Sequence, residues 1–170
     1  MKNSLIAICL LFPFIVLAQD SCHLKKTTDP FTHETKISTG FVSFESSAAP
    51  LSISVDATST EVDFFLWFTG KQKCFDEAST IQINFEGDRL KQNFKNTGSM
   101  NCQGAFHFVF KNLATTPSQL QRLVDKKVNS FHITGPNKTI SDVTFTPEQK
   151  QDFARMVGCV VRDSKTLVKK

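Results

Sequence analysis

Between residues 51 and 110 much of the chain alternates polar with apolar positions, the period of two that marks a strand half-buried in a sheet. Leu51-Ser52-Ile53-Ser54-Val55-Asp56-Ala57 keeps the alternation strictly. Val62-Asp63-Phe64-Phe65-Leu66-Trp67-Phe68 begins the same way and becomes apolar on both faces, which predicts a central strand covered on both sides. Residues 106–110 place Phe106, Phe108 and Phe110 on one face, and residues 39–45, with Phe41 and Phe44, carry a weaker strand pattern. Residues 81–86 run into Gly87-Asp88 and on into residues 89–94. Glycine opening a two-residue turn suits the type II′ hairpin. That register sets Ile81 against Phe94, Ile83 against Gln92 and Phe85 against Leu90.

The pattern then shifts to a helical period. Thr116-Pro117 predicts an N-cap followed by proline in the first turn, with Leu120, Leu123, Val124 and Val128 near one face. Thr146-Pro147-Glu148 repeats that start ahead of Phe153, Met156, Val157 and Val160. Between the helices, two short strands over 129–134 and 139–145 are joined by Gly135-Pro136-Asn137. Residues 19–32 are polar, contain Asp29-Pro30 and read as a loop, and the polar segment 163–170 reads as a disordered tail. With no repeat and no linker, residues 19–162 are expected to form a single α+β domain. Its sheet is antiparallel and sandwich-like, of about seven or eight strands, with two helices in the C-terminal half.

The N-terminus breaks from both periods. Lys2 precedes an unbroken apolar run over 5–18 that contains Pro13 and ends Val16-Leu17-Ala18. The run is short of the ~20 residues a spanning helix needs, and it ends in small residues suited to cleavage. Residues 1–18 are therefore expected to be a signal peptide cleaved after Ala18, giving a secreted or periplasmic protein with no membrane span. Gln19-Asp20-Ser21 before Cys22 does not suit lipidation.

Export changes the meaning of the five cysteines. Cys9 leaves with the signal, and Cys22, Cys74, Cys102 and Cys159 enter an oxidising compartment that favours disulfides. Extending the hairpin register outward puts Cys74 opposite Asn101, one residue from Cys102, so a single bulge would join the two sulfurs. A Cys74–Cys102 bridge leaves Cys22 with Cys159. Four cysteines allow three pairings, and the other two stay open at this point.

Composition narrows the function classes. The 170 residues are 40% hydrophobic, with 20 Lys+Arg against 16 Asp+Glu, too apolar and too balanced for a disordered chain. The lysines fall in dispersed doublets, Lys25-Lys26, Lys126-Lys127 and Lys169-Lys170 among them, so no nucleic-acid partner is expected. There are 17 phenylalanines, one tryptophan and no tyrosine. Phenylalanine at alternating strand positions is core material, which speaks against a sugar-stacking platform and removes tyrosine as a general acid.

Candidate chemistry is thin. Cys22-His23 with His33 lacks the closely spaced cysteine pair of a structural zinc site, so no metal or other cofactor is expected. No Gly-x-Ser-x-Gly elbow or phosphate-binding glycine loop is present, and no catalytic residue is assigned. His107 and His132 each point to the strand face opposite their apolar neighbours. They would form one polar sheet patch if their strands were adjacent.

Three features resemble an uncharacterised family of small secreted bacterial proteins. They are Asp29-Pro30-Phe31-Thr32 soon after a cysteine, the cysteine-bounded hairpin from Cys74 to Cys102, and Phe145-Thr146-Pro147-Glu148-Gln149 opening a helix that carries Cys159. The resemblance implies export and a compact domain, and it brings no activity, ligand or site residue. The expectation is a secreted, disulfide-bonded, non-enzymatic module that binds or stabilises a protein or other component of the bacterial envelope or exterior. The alternative is a small secreted hydrolase using dispersed Asp and His residues.

Overall fold

The computed structural model describes residues 22–44, 50–70 and 73–168, so the expected signal peptide over 1–18 lies outside the described residues. The first half of the chain gives β1 (Lys25–Thr28), β2 (Thr35–Ser38), β3 (Val42–Phe44), β4 (Leu51–Ala57) and β5 (Glu61–Phe68). Next come β6 (Thr80–Phe85), β7 (Lys91–Lys95) and β8 (Ala105–Lys111). The C-terminal part holds α1 (Ser118–Asp125), β9 (Val128–Thr134), β10 (Ile140–Thr144) and α2 (Pro147–Ser164). The fold is α+β, with every strand pairing antiparallel.

The strands make two sheets. One runs β1-β2-β4-β5-β8, with β3 pairing β4 beyond the end of β2, and the other runs β10-β9-β6-β7. Alternation decides which face each strand turns inward. Ile53, Val55, Val62, Phe64, Leu66, Phe106 and Phe108 line the first inner face, and Ile81, Ile83, Phe131, Ile133 and Val143 line the second, all essentially without solvent contact. The sheets meet where Phe94 stacks on Phe108 with ring centres 4.8 Å apart. A seam continues that contact, because Thr97 N donates to His107 O at 2.8 Å and His107 N donates to Asn96 Oδ1 at 3.0 Å.

Helix α2 fills the remaining side, packing against β2 and β4 of one sheet, β9 of the other, and α1. Its start is a capping box. Gln149 N donates to Thr146 Oγ1 at 3.3 Å, and Thr146 N donates to Gln149 Oε1 at 2.9 Å. Its centre is Phe153, which meets Phe44 and Phe64 from the first sheet, Phe131 from the second, and Phe145. The helix thus closes a phenylalanine core that neither sheet closes alone. Two disulfides hold the periphery: Cys22 to Cys159, with Cα atoms 5.7 Å apart, and Cys74 to Cys102, at 3.8 Å. Phe75 and Asn101 pair as an isolated bridge, one residue out of the β6–β7 register, and that offset sets Cys74 directly across from Cys102.

Several expectations are corrected. The segment 19–32, read as a loop, contains β1. This edge strand is exposed at every position and so shows no alternation. The β6–β7 register holds from Ile81–Phe94 to Asn84–Lys91 and ends there, because Phe85 begins the turn, so Phe85 does not pair with Leu90; on the other edge of β6 Phe85 pairs with Val128 across a bulge. Gly87, at φ +68°, sits third in a turn closed from Asp88 N to Phe85 O, rather than opening a two-residue type II′ turn. Pro117, not Thr116, is the N-cap of α1. The expected tail from Asp163 is ordered as far as the described residues reach, since α2 runs to Ser164 and a 3₁₀ turn covers Lys165–Leu167. Buried Asn112 explains this end. Its Nδ2 donates to Ser164 O at 2.9 Å and to Thr58 O at 2.7 Å, fastening the helix terminus to the β4–β5 turn.

Candidate functional site

The outer face of the first sheet carries the most unusual surface. Along β5, Asp63, Phe65 and Trp67 point away from the core, and only the inward residues are fully buried. The strand expected to be covered on both faces is therefore covered on one. Trp67 keeps 44% of its surface exposed, while its Nε1 donates to Gln103 O at 3.0 Å and fixes the indole.

Phe41 joins this face through a bulge. Ile37 pairs with Ala57 and Val42 with Ile53, so the strand uses one more residue than its partner between those points. Gly40 takes φ +66° there, Thr39 N donates to Val55 O at 3.1 Å, and Val55 N donates to Thr39 Oγ1 at 2.9 Å. The extra residue reverses the facing of the strand beyond it. Phe44 returns to the core, and Phe41, 54% exposed, lies over the outer face. Its ring centre is 5.8 Å from those of Phe65 and Trp67. Val109 adds a further exposed apolar side chain from β8. An aromatic cluster thus stands open on a sheet whose other face is the core.

A polar pair borders it. His107 on β8 stacks obliquely on Phe65, with ring centres 5.7 Å apart, and its Nδ1 lies 3.4 Å from Asp63 Oδ1 and 3.3 Å from Thr97 Oγ1. Asn96 locks the surrounding loop, accepting from Gly98 N at 3.3 Å and donating to Asp76 O at 3.0 Å. Gly98 is pressed against the imidazole, where an added Cβ would stand 2.7 Å from Nε2.

Burial pushes the Asp63 carboxyl above the usual carboxylate range, against the opposing pull of His107, and neighbouring Asp56 and Glu61 push it further. A carboxyl raised in this way stabilises the fold in its protonated form. That contribution is present at low pH and is lost as pH climbs through the folded-state value. Asp63→Asn, neutral throughout, is therefore expected to melt higher than wild type at pH 8 and no higher at pH 3. A lower melting point at pH 8, read by circular dichroism, would mean that the attraction of His107 outweighs the burial.

His132 lies in the other sheet, on β9, with its Nδ1 2.6 Å from Asp142 Oδ1. Strands β8 and β9 are not neighbours, so the expected shared patch of His107 and His132 does not form, and each histidine has its own aspartate. The His107 pair does not have the layout of a hydrolytic triad. There the aspartate and the nucleophile occupy opposite imidazole nitrogens, whereas Asp63 and Thr97 share Nδ1 and Gly98 covers Nε2. Among the described residues no three His, Cys, Asp or Glu side chains gather as metal ligands. A cavity of about 220 Å³ beneath the Cys22–Cys159 bridge is lined by His23, Leu24, Val42, Asp152, Arg155 and Met156. His33, with Glu34, borders a second cavity of about 520 Å³ beside Thr166.

Sequence reasoning missed the aromatic cluster as a surface. The available signal was the outward register of Trp67 with Phe65. Phe41 gave none, because its facing depends on the bulge. No helix among the described residues is long and apolar enough to cross a membrane. The chain matches no protein-family model, and neither the curated proteins nor the solved structures contain a match.

Proposed function

We propose that this chain is an exported, non-enzymatic binding module of the bacterial envelope or exterior, and that it holds a protein or other envelope component against Phe41, Phe65 and Trp67. One observation carries the reading. Phe41 and Trp67 stand about half exposed, their ring centres 5.8 Å apart, on a sheet face where the indole is held by its hydrogen bond to Gln103 O. Aromatic side chains held in place bury large area at little entropic cost, which is why they anchor interfaces. The signal-like run over 5–18 and the two disulfides support an extracytoplasmic setting.

The test is retention from a bacterial envelope extract on immobilised, oxidised protein at physiological salt. Wild type is expected to retain a discrete component. The Phe41→Ser/Trp67→Ser double variant is expected to lose it, with affinity falling roughly 30-fold or more, as for anchor residues. Equal retention by the two proteins, or none by wild type, would overturn the proposal. Both substitutions are on the outer face, and matching circular dichroism spectra would establish that the variant is folded.

A further inference from the structure

A second surface, independent of the aromatic face, lies at the Cys74–Cys102 end of the molecule. There a cleft of about 420 Å³ runs between the Cys74-Phe75 segment and the β9–β10 turn, within the usual size range for small-molecule sites. Met100 and Ile140 form its open walls, 61% and 58% exposed, with Pro136 and Phe75 completing the apolar lining. Its frame is rigid. The disulfide ties one wall, Phe75 and Asn101 exchange backbone hydrogen bonds at 2.8 and 2.9 Å, and Gly104 N donates to Lys73 O at 3.0 Å. Gly135 packs so closely on the opposite side that an added Cβ would lie 3.0 Å from Cys74 O.

Lys73 gives the cleft its chemistry. Lys73 is half-buried, and its ammonium donates to the Oγ of buried Ser141 at 2.7 Å. Elsewhere Lys36, Lys126 and Lys150 each meet a carboxylate: Asp56, Asp88 and Glu86. Lys73, like the remaining lysines among the described residues, meets none, and it differs from them in donating to a buried hydroxyl. An ammonium carries three donors, and a hydroxyl occupies one of them. A partly desolvated cation without a counter-ion, beside an open apolar wall, is complementary to an anion that brings its own apolar tail.

We propose that this cleft binds a monocarboxylate with an aliphatic tail, its carboxylate on Lys73 Nζ and its tail along Met100, Ile140 and Pro136. The unbranched thioether of Met100 suits a wall that must adapt to a flexible chain. A free fatty acid and the C-terminus of an apolar peptide present the same carboxylate, and the experiment separates them.

The experiment is isothermal titration of the oxidised protein with decanoate below its micelle concentration, with decylammonium, and with N-acetyl-dileucine and its C-terminal amide. Decanoate is expected to bind at one site and decylammonium not at all. Lys73→Met is expected to weaken decanoate roughly tenfold or more through loss of a charge-assisted hydrogen bond. Ile140→Glu, at an exposed position, is expected to weaken it as well by placing a carboxylate at the rim, so the result does not depend on one variant folding. Tighter binding of N-acetyl-dileucine than of decanoate, lost in its amide, keeps the site and assigns it to a peptide C-terminus. Absence of binding by both acids, equal binding by the ammonium compound, or equal affinity in Lys73→Met would overturn the proposal.

Discussion

Phe153→Ala is expected to destabilise the fold by about 3–5 kcal/mol, lowering the melting temperature by roughly 10 °C or more. The ring is fully buried and contacts phenylalanines from both sheets: Phe44 and Phe64 on one side, Phe131 on the other. Removing it opens a cavity at the point where α2 joins the two layers, and neighbours anchored in separate sheets cannot collapse into that space. Leu113→Ala, at an exposed position, provides the comparison and should melt within a degree or two of wild type. A Phe153→Ala variant that melted as Leu113→Ala does would mean that the sheets hold together without the helix.

The second large effect concerns the disulfides, which differ in the loop they close. Cys22 and Cys159 are 137 residues apart in sequence, Cys74 and Cys102 only 28. Chain-entropy arguments give about 5 kcal/mol for the longer loop and about 3.6 kcal/mol for the shorter. The paired substitution Cys22→Ser/Cys159→Ser is therefore expected to cost more stability than Cys74→Ser/Cys102→Ser, measured by urea denaturation under identical conditions. The shorter bridge has a different role. It frames the cleft beside Lys73, so its loss should weaken decanoate binding, whereas loss of the longer bridge should leave that binding unchanged. The reverse order of stabilities would mean that the denatured chain already holds its N-terminal arm near α2.

Much of the architecture is legible in the sequence because burial on one face leaves a period of two. Strands β4, β6 and β8 show it directly, and the threonine-proline start of α2 announces its capping box. Strand β1 leaves no such trace, since neither face is buried and only its backbone pairing with β2 defines it. The outer aromatic face was hidden for a different reason. A strand apolar on both sides reads the same whether its second face is covered by protein or open to solvent, and only the neighbours of β5 decide between them. The bulge at Thr39-Gly40 hid Phe41, because a single extra residue reverses the facing of the rest of the strand. Lys73 and Met100 belong to no periodic segment, so their meeting across the disulfide is a product of tertiary structure alone. The same holds for the two histidines. Each can be placed on its strand by alternation, but the sheet to which that strand belongs depends on topology.

A partner that binds the exposed aromatic face can be captured there by site-specific photocrosslinking. Phe41→p-benzoylphenylalanine would be exposed to bacterial envelope extract beside Leu113→p-benzoylphenylalanine, a probe at another exposed apolar position. A discrete adduct from position 41, absent from position 113 and suppressed by Trp67→Ser, is the expected result. The same adducts from both positions, or none from position 41 while position 113 reacts, would contradict binding at this face.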